Sequence, residues 1–193
     1  MPTKYEPELP SLKYSLAVGS FGFGAASLVV FVTVALGERW LYSRLGLNGA
    51  YLFWTALFIL LGGGALGSLA VTRWRLPRFY LLFGAAFFAY AVGWTASYFL
   101  LQDPAGEWVG SLLGSFLLTG VILMGFGRLR FVWKIGAIVF VLNSIGYFLG
   151  SAVNDYFGGR SGMLLWGLIY GLFLGAGIGF VLHSSQVREA VND

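Results

Sequence analysis

Side chains that could carry chemistry are few in this chain of 193 residues, which has no cysteine and a single histidine. Without cysteine it can form no disulfide, thiolate metal site or cysteine nucleophile. We interpret all eight acidic residues as belonging to tails or loops: Glu6, Glu8, Glu38, Asp103, Glu107, Asp155, Glu189 and Asp193. Because ion-coupled transporters and membrane enzymes usually hold an ionisable group inside the membrane, we expect no catalytic residue, no metal site and no required cofactor.

The lone histidine, His183, falls at the end of the last apolar run. One histidine cannot form a two-histidine haem site, a zinc site or a catalytic triad. Its position favours capping of a helix C-terminus. The alternative is a cofactor-binding role, in which it ligates the magnesium of a chlorophyll-type pigment or a haem iron.

Polar and aromatic side chains recur on two of the apolar runs. On the later run, Asn143, Tyr147, Ser151 and Asn154 follow at helical spacing and share one face. They and their counterparts on the earlier run predict a pocket that opens outward, formed by Tyr90, Trp94, Tyr98, Asn143, Tyr147 and Ser151. The alternative is hydrogen bonding between helices combined with a belt of interfacial aromatics.

The elements that must position these residues are membrane spans. Hydrophobic residues make up 58% of the chain and charged residues only 10%, whereas soluble domains carry about 25% charged residues. Apolar runs of about 20 residues match the ~30 Å hydrocarbon core. We predict six transmembrane helices at about 14–36, 49–71, 79–101, 107–127, 131–153 and 162–183, with the stretch around Glu38–Asn48 as an insertion after the first.

Lysine and arginine indicate the orientation of these spans. Nine lie at one set of ends, and Arg39, Arg44 and Arg160 lie at the other. The nine are Lys4, Lys13, Arg73, Arg75, Arg78, Arg128, Arg130, Lys134 and Arg188. The positive-inside rule then makes both termini cytoplasmic. No basic domain lies outside the predicted spans, so nucleic acid is not an expected partner.

A basic residue, an aromatic and then a glycine five positions later recur at the start of three odd-numbered spans. The motif begins at Lys13, Arg78 and Arg130, which we interpret as interface anchors, and its glycines are Gly19, Gly84 and Gly136. The recurrence predicts an all-α integral membrane protein with one polytopic domain over residues 1–193. It consists of three helical-hairpin repeats at about 13–74, 78–128 and 130–185.

Glycines recur every four residues on the even-numbered spans, a spacing that places them on one helix face for close packing. The predicted packing glycines are Gly63, Gly67, Gly110, Gly114, Gly171, Gly175 and Gly179. The run "GGGALG" from Gly62 also fits a dinucleotide-binding pattern, but it lies inside an apolar span rather than between a strand and a helix. Bulky residues such as Phe83, Phe87, Phe88 and Phe140 are expected to face lipid or a partner.

These features favour a non-catalytic subunit of a larger membrane complex, photosynthetic or respiratory, in the bacterial inner membrane. Its expected partners are membrane lipids and other membrane protein subunits. Lipid, carotenoid or chlorophyll-type pigment contacts fit the aromatic surface. The alternative function is a small-solute-binding or transport component for a largely apolar substrate, acting through the region of Trp94 and Tyr147. We expect no enzymatic activity under either interpretation.

Overall fold

The computed structural model describes residues 9–70 and 76–187, and every regular element in those ranges is helical. Five helices are long, and they are α1 (Leu12–Leu66), α2 (Leu76–Leu101), α3 (Pro104–Gly125), α4 (Val132–Phe157) and α5 (Gly159–Gln186). Short 3₁₀ turns follow at Gly67–Leu69 and Leu129–Phe131. In the described part of the chain, five helices are long and apolar enough to cross a membrane, as in a multi-pass membrane protein.

Local sequence explains where two of these helices begin. Ser11 precedes α1, and its side-chain oxygen accepts a hydrogen bond of 3.2 Å from the Tyr14 backbone N–H. Asp103 precedes α3 and accepts one of 2.9 Å from the Gly106 N–H. Pro104 occupies the first turn of α3, where no backbone donor is needed. Both helices therefore begin with their free N–H groups partly satisfied.

Helix α1 is broken at Gly46, whose φ of 66° and ψ of −178° are accessible only to glycine at little cost. The chain folds back there. A Cβ atom on Gly22 would lie 3.1 Å from the Cβ of Ala65, and the rings of Phe23 and Phe58 stack with centroids 5.6 Å apart. Residues 22 and 65 would be ~65 Å apart in a continuous helix. Helix α1 therefore comprises two segments, 12–45 and 47–66, that pack against each other in opposite directions.

The stretch predicted as an insertion, Glu38–Asn48, is helical on both sides of Gly46. The acidic residues also differ from expectation, because Glu38, Glu107 and Asp155 lie on helices α1, α3 and α4 rather than in loops. The reason is that "GERWLYSR" contains no helix-breaking residue after Gly37, so the helix continues beyond the apolar run.

Helices α1 and α5 pack closely against each other, and glycines make this possible. A Cβ on Gly19 would collide with the Gly175 carbonyl oxygen, and one on Gly179 with the Ser15 carbonyl oxygen. Two hydroxyls on α1 cross to α5: Ser27 Oγ donates to the Gly167 carbonyl at 2.7 Å, as Ser20 does to Leu172. The first and last helices therefore close the bundle, running in opposite directions.

Each of the seven predicted packing glycines faces a residue from another helix. The facing residues, in order, are Tyr80 for Gly63, Leu76 for Gly67, Trp94 for Gly110, Tyr90 for Gly114, Ser27 for Gly171, Gly19 for Gly175 and Ser15 for Gly179. The α3 glycines thus pack along α2 in reverse order. Along the same lines, Gly146 and Gly150 of α4 meet Tyr170 and Trp166 of α5. Consecutive helices α2/α3 and α4/α5 are therefore antiparallel hairpins.

The expectation that Phe83 and Phe87 face lipid is wrong. They are only 1% and 3% exposed, because they belong to a row of aromatic rings on α2 that packs against Phe23 and Phe58. Phe88, which points away from that row, is 48% exposed. A helix that is apolar all round gives no sequence signal for the face that turns inward.

The three motif glycines have unequal surroundings. A Cβ atom added at Gly19 would collide with the backbone of α5, one at Gly136 would lie 2.9 Å from the Phe116 ring, and one at Gly84 would make only an ordinary contact with Ile59. The three anchors Lys13, Arg78 and Arg130 are exposed, and the Arg130 guanidinium lies 4.6 Å from the centre of the Phe131 ring. Four further residues of the charge pattern, Lys4, Arg73, Arg75 and Arg188, lie outside the described residues, as do Glu6, Glu8, Glu189 and Asp193. Equivalence of the three hairpins stays a prediction.

Candidate functional site

A cavity of about 340 Å³ lies among α1, α2, α4 and α5, towards the end of the bundle that holds the Gly46 turn. Both segments of α1 contribute to it. Twelve of its nineteen lining residues are aromatic, against 18% of the whole chain, so aromatic side chains are concentrated there. The twelve are Phe31, Tyr42, Tyr51, Trp54, Phe58, Phe87, Tyr90, Trp94, Tyr98, Tyr147, Trp166 and Tyr170.

Four of the six residues predicted to form a pocket line this cavity: Tyr90, Trp94, Tyr98 and Tyr147. Asn143 is fully buried behind Tyr90 and does not reach the cavity surface. Ser151 lies farther along α4 and is also absent from the lining. The structure therefore brings the aromatic members together in one wall and separates the two small polar members from it.

A chain of buried hydrogen bonds fixes this wall from behind. The Tyr90 hydroxyl donates to Asn143 Oδ1 at 3.0 Å and lies 2.7 Å from the Tyr170 hydroxyl, which can then donate to it. Asn143 Nδ2 donates to Ser111 Oγ at 2.8 Å, and Ser111 and Ser144 share a further bond of 2.8 Å. The network joins α2, α3, α4 and α5, so it satisfies the buried amide and holds two cavity tyrosines in place.

Ring contacts connect the aromatic residues to one another. The Trp94 ring stacks on Tyr98 with centroids 5.4 Å apart and lies 5.1 Å from Tyr147, which in turn lies 5.6 Å from Trp166. Tyr147 is also held at its hydroxyl, which donates to Glu107 Oε1 at 3.2 Å. Such contacts leave the rings little rotational freedom, so the cavity has a defined shape.

Sequence reasoning missed Glu38, the one charged residue in the lining. It lies on α1 one helical turn before Tyr42, which lines the same cavity. Glu38 forms no ion pair with any residue between 9 and 70 or 76 and 187, and the neighbouring Arg39 and Arg44 are exposed outside the cavity. The signal available in the sequence was the helical spacing of Phe31, Val34, Glu38 and Tyr42, which share one face.

Three tryptophans in the lining have indole N–H groups without a protein partner. Nε1 of Trp54, Trp94 and Trp166 is buried and has no hydrogen-bond acceptor within the described ranges. Buried donors of this kind normally find an acceptor. Because these nitrogens are buried, the three tryptophans present ring carbon rather than N–H groups to the cavity.

A second groove, of about 380 Å³, runs beside the cavity between the 47–66 segment and α2. The two share Tyr51, Thr55, Ala91 and Thr95 as wall residues. The groove also carries Leu52 and Phe88, which are 58% and 48% exposed on the outer surface of the bundle. The cavity therefore adjoins a groove on the outer surface of the bundle across a shared wall.

His183 lies far from this cavity, near the opposite end of the bundle. Its Nδ1 is 3.0 Å from the Pro10 carbonyl oxygen, so Nδ1–H donates there and attaches the start of the described chain to α5. Gln186 reinforces the same end by donating to the Leu69 carbonyl at 2.8 Å. Within the described ranges, no group of three or more histidine and acidic residues could hold a metal ion.

The chain matches no protein-family model, and comparison with curated proteins and with solved structures finds no significant match.

Proposed function

We propose that this chain is a membrane-embedded binding or transport component for a small, largely apolar solute. The observation that carries the proposal is the cavity of about 340 Å³ with twelve aromatic residues in its wall. Ligand sites are typically clefts of about 300–1,000 Å³ with mostly apolar walls and a few polar groups. The cavity has this size and composition, and its walls come from helices rather than loops.

The proposed arrangement is six membrane spans with both termini in the cytoplasm. Support comes from the fold-back at Gly46, which divides α1 into two segments of 34 and 20 residues. Each is long enough to span a ~30 Å core. Under this topology the cavity opens away from the cytoplasm, where the connections carry only Arg39, Arg44 and Arg160. In a bacterium this side would be the outer face of the inner membrane.

Filling the cavity tests the binding function. Ala91 lines it from α2, whereas Ala85 is exposed on the same helix and lies outside the lining. We expect the wild-type chain in detergent to bind the neutral probe 3,3-dimethylbutan-1-ol saturably, as followed by tryptophan fluorescence. Ala91→Phe should abolish binding, because its ring occupies the space, and Ala85→Phe should retain it. Failure of wild type to bind both this probe and its trimethylammonium counterpart, or unchanged binding by Ala91→Phe, would refute the proposal.

Membership of a larger membrane assembly is a second proposal. It is supported by large aromatic side chains on the outer surface, among them Trp133 at 76%, Phe21 at 71% and Trp40 at 62% exposure. Lipid tails cover such a surface equally well, so this observation carries less weight than the cavity. In such an assembly the outer aromatic side chains would contact a pigment or carotenoid. We propose no enzymatic activity for the chain under either function. Gentle solubilisation should recover larger subunits with the chain, and recovery of the chain alone would argue against the assembly.

A further inference from the structure

We infer that the solute taken by this cavity carries a positively charged organic ammonium group. The inference rests on the proposed binding function and adds the chemical class of the ligand. Two observations combine to support it, namely a wall rich in tryptophan and tyrosine rings and a single carboxylate in the same lining. No lysine, arginine or histidine belongs to that lining, which is formed by residues of the described ranges.

The aromatic wall fits a cation better than it fits a purely apolar solute. An ammonium group over the face of tryptophan or tyrosine is attracted by the ring quadrupole, and tryptophan is the strongest partner. Three of the seven tryptophans and six of the ten tyrosines of the chain line this one cavity. An apolar solute alone would be served as well by leucine and valine, which are abundant elsewhere in the bundle. Cages of several aromatic rings are a general way to bind quaternary ammonium groups.

Glu38 supplies the opposite charge. Its side chain is only partly exposed, and no lysine, arginine or histidine lies beside it in the cavity lining. A carboxylate beside a mostly apolar wall attracts a cation that enters the same space. A bound ammonium group would provide that charge while the rings surround its alkyl groups. Tyr51 and Trp54 of the 47–66 segment line the same cavity as Glu38.

The Glu38 carboxylate lies near one end of the bundle, where a charged side chain is tolerated. Glu38 is eight residues before the Gly46 turn, within about 12 Å of it along the helix axis. The three arginines at this end, Arg39, Arg44 and Arg160, are exposed and outside the lining. None of them forms an ion pair with Glu38. The ammonium group has two possible sources. One is a free solute, and the other is the choline headgroup of a lipid that enters through the groove lined by Leu52 and Phe88.

The decisive test compares choline with 3,3-dimethylbutan-1-ol, which has the same shape with carbon in place of the charged nitrogen. We expect the purified chain in maltoside micelles to bind choline at least about tenfold more tightly than the neutral analogue. Glu38→Gln, which keeps the shape of the side chain, should weaken choline binding by about tenfold and leave the neutral analogue unaffected. Asp155→Asn is the matched control, because Asp155 is an exposed carboxylate near the end of α4 and lies outside the lining.

The possible results distinguish failure of the ammonium inference from failure of the proposed binding function. Equal affinity for the two probes, or unchanged choline affinity in Glu38→Gln, would overturn the ammonium inference and leave the binding function standing. Failure of both probes to bind would overturn both. The source is resolved in nanodiscs. If choline binds in phosphatidylglycerol nanodiscs but not in phosphatidylcholine nanodiscs, the choline headgroups of the lipid compete for the site. The site would then take the lipid headgroup as well as the free solute. Equal binding in both lipids would assign it to the free solute alone.

Discussion

A single methyl group added at Gly175 should destabilise the contact between α1 and α5. A Cβ atom there would collide with the Gly19 carbonyl oxygen and lie 2.7 Å from Phe23 Cβ, whereas carbon atoms pack best at about 3.5–4.0 Å. The obstacle on the Gly19 side is backbone, so relief requires the two helices to separate. Overpacking of this kind costs about 1–3 kcal/mol.

Gly37→Ala is the matched control, because Gly37 lies on the same α1 helix and a methyl group added there would have no neighbouring atom within 4 Å. Both substitutions gain the same helix propensity, up to about 1 kcal/mol. The difference between the variants therefore isolates the steric cost. At about 2–4 °C per kcal/mol for a chain of this size, Gly175→Ala should melt roughly 2–12 °C below Gly37→Ala.

The assay is thermal unfolding of the purified proteins in detergent, followed by tryptophan fluorescence. A second readout is the fraction of folded protein in a titration with a denaturing detergent at constant temperature. Equal melting temperatures for Gly175→Ala and Gly37→Ala would refute the close backbone contact, since the two variants differ only in what surrounds the added methyl group.

Three further perturbations follow from the fold. Gly46→Ala should cost about 1–3 kcal/mol because alanine is strained at φ 66° and ψ −178°, and a melting temperature equal to that of Gly37→Ala would contradict the fold-back. Asn143→Leu should cost about 1–3 kcal/mol by leaving buried hydroxyls without their amide partner, and an unchanged denaturation midpoint would contradict the network. The chain has no cysteine of its own, so single cysteines can be introduced at Ser43 and Leu129. They should react with an impermeant maleimide from opposite sides of the membrane, and labelling from the same side would contradict the six-span topology.

Sequence alone was sufficient for those parts of the structure that depend on local patterns. Continuous apolar runs with almost no charge predicted long membrane-type helices, and the four-residue spacing of Gly171, Gly175 and Gly179 predicted a face for close packing. The partner of that face could not be predicted. It is α1, about 150 residues away in the chain, whose small residues Ser15, Gly19 and Ser27 follow the same four-residue spacing with Phe23 between them. That spacing also occurs on other helices, so it does not identify the partner.

The site was only partly accessible from the sequence for a similar reason. Tyr90, Trp94, Tyr98 and Tyr147 lie on regularly spaced faces of α2 and α4, and their grouping was visible. Glu38 was assigned to a loop because a charge after an apolar run normally marks the end of a span. Its place in the cavity depends on the helix continuing to Gly46 and on the packing of Tyr51 and Trp54 from the returning segment, which are tertiary features.

Protection of a cysteine inside the cavity by bound solute tests the central claim most directly. Thr95 lines both the cavity and the adjoining groove, and Ser43 is exposed at the same end but lines neither. In membrane vesicles, Thr95→Cys should react with an impermeant maleimide from the non-cytoplasmic side. Saturating choline or 3,3-dimethylbutan-1-ol should slow that reaction by about tenfold while Ser43→Cys reacts at an unchanged rate. Labelling of Thr95→Cys at the same rate with and without either solute would contradict the assignment of this cavity as a binding site.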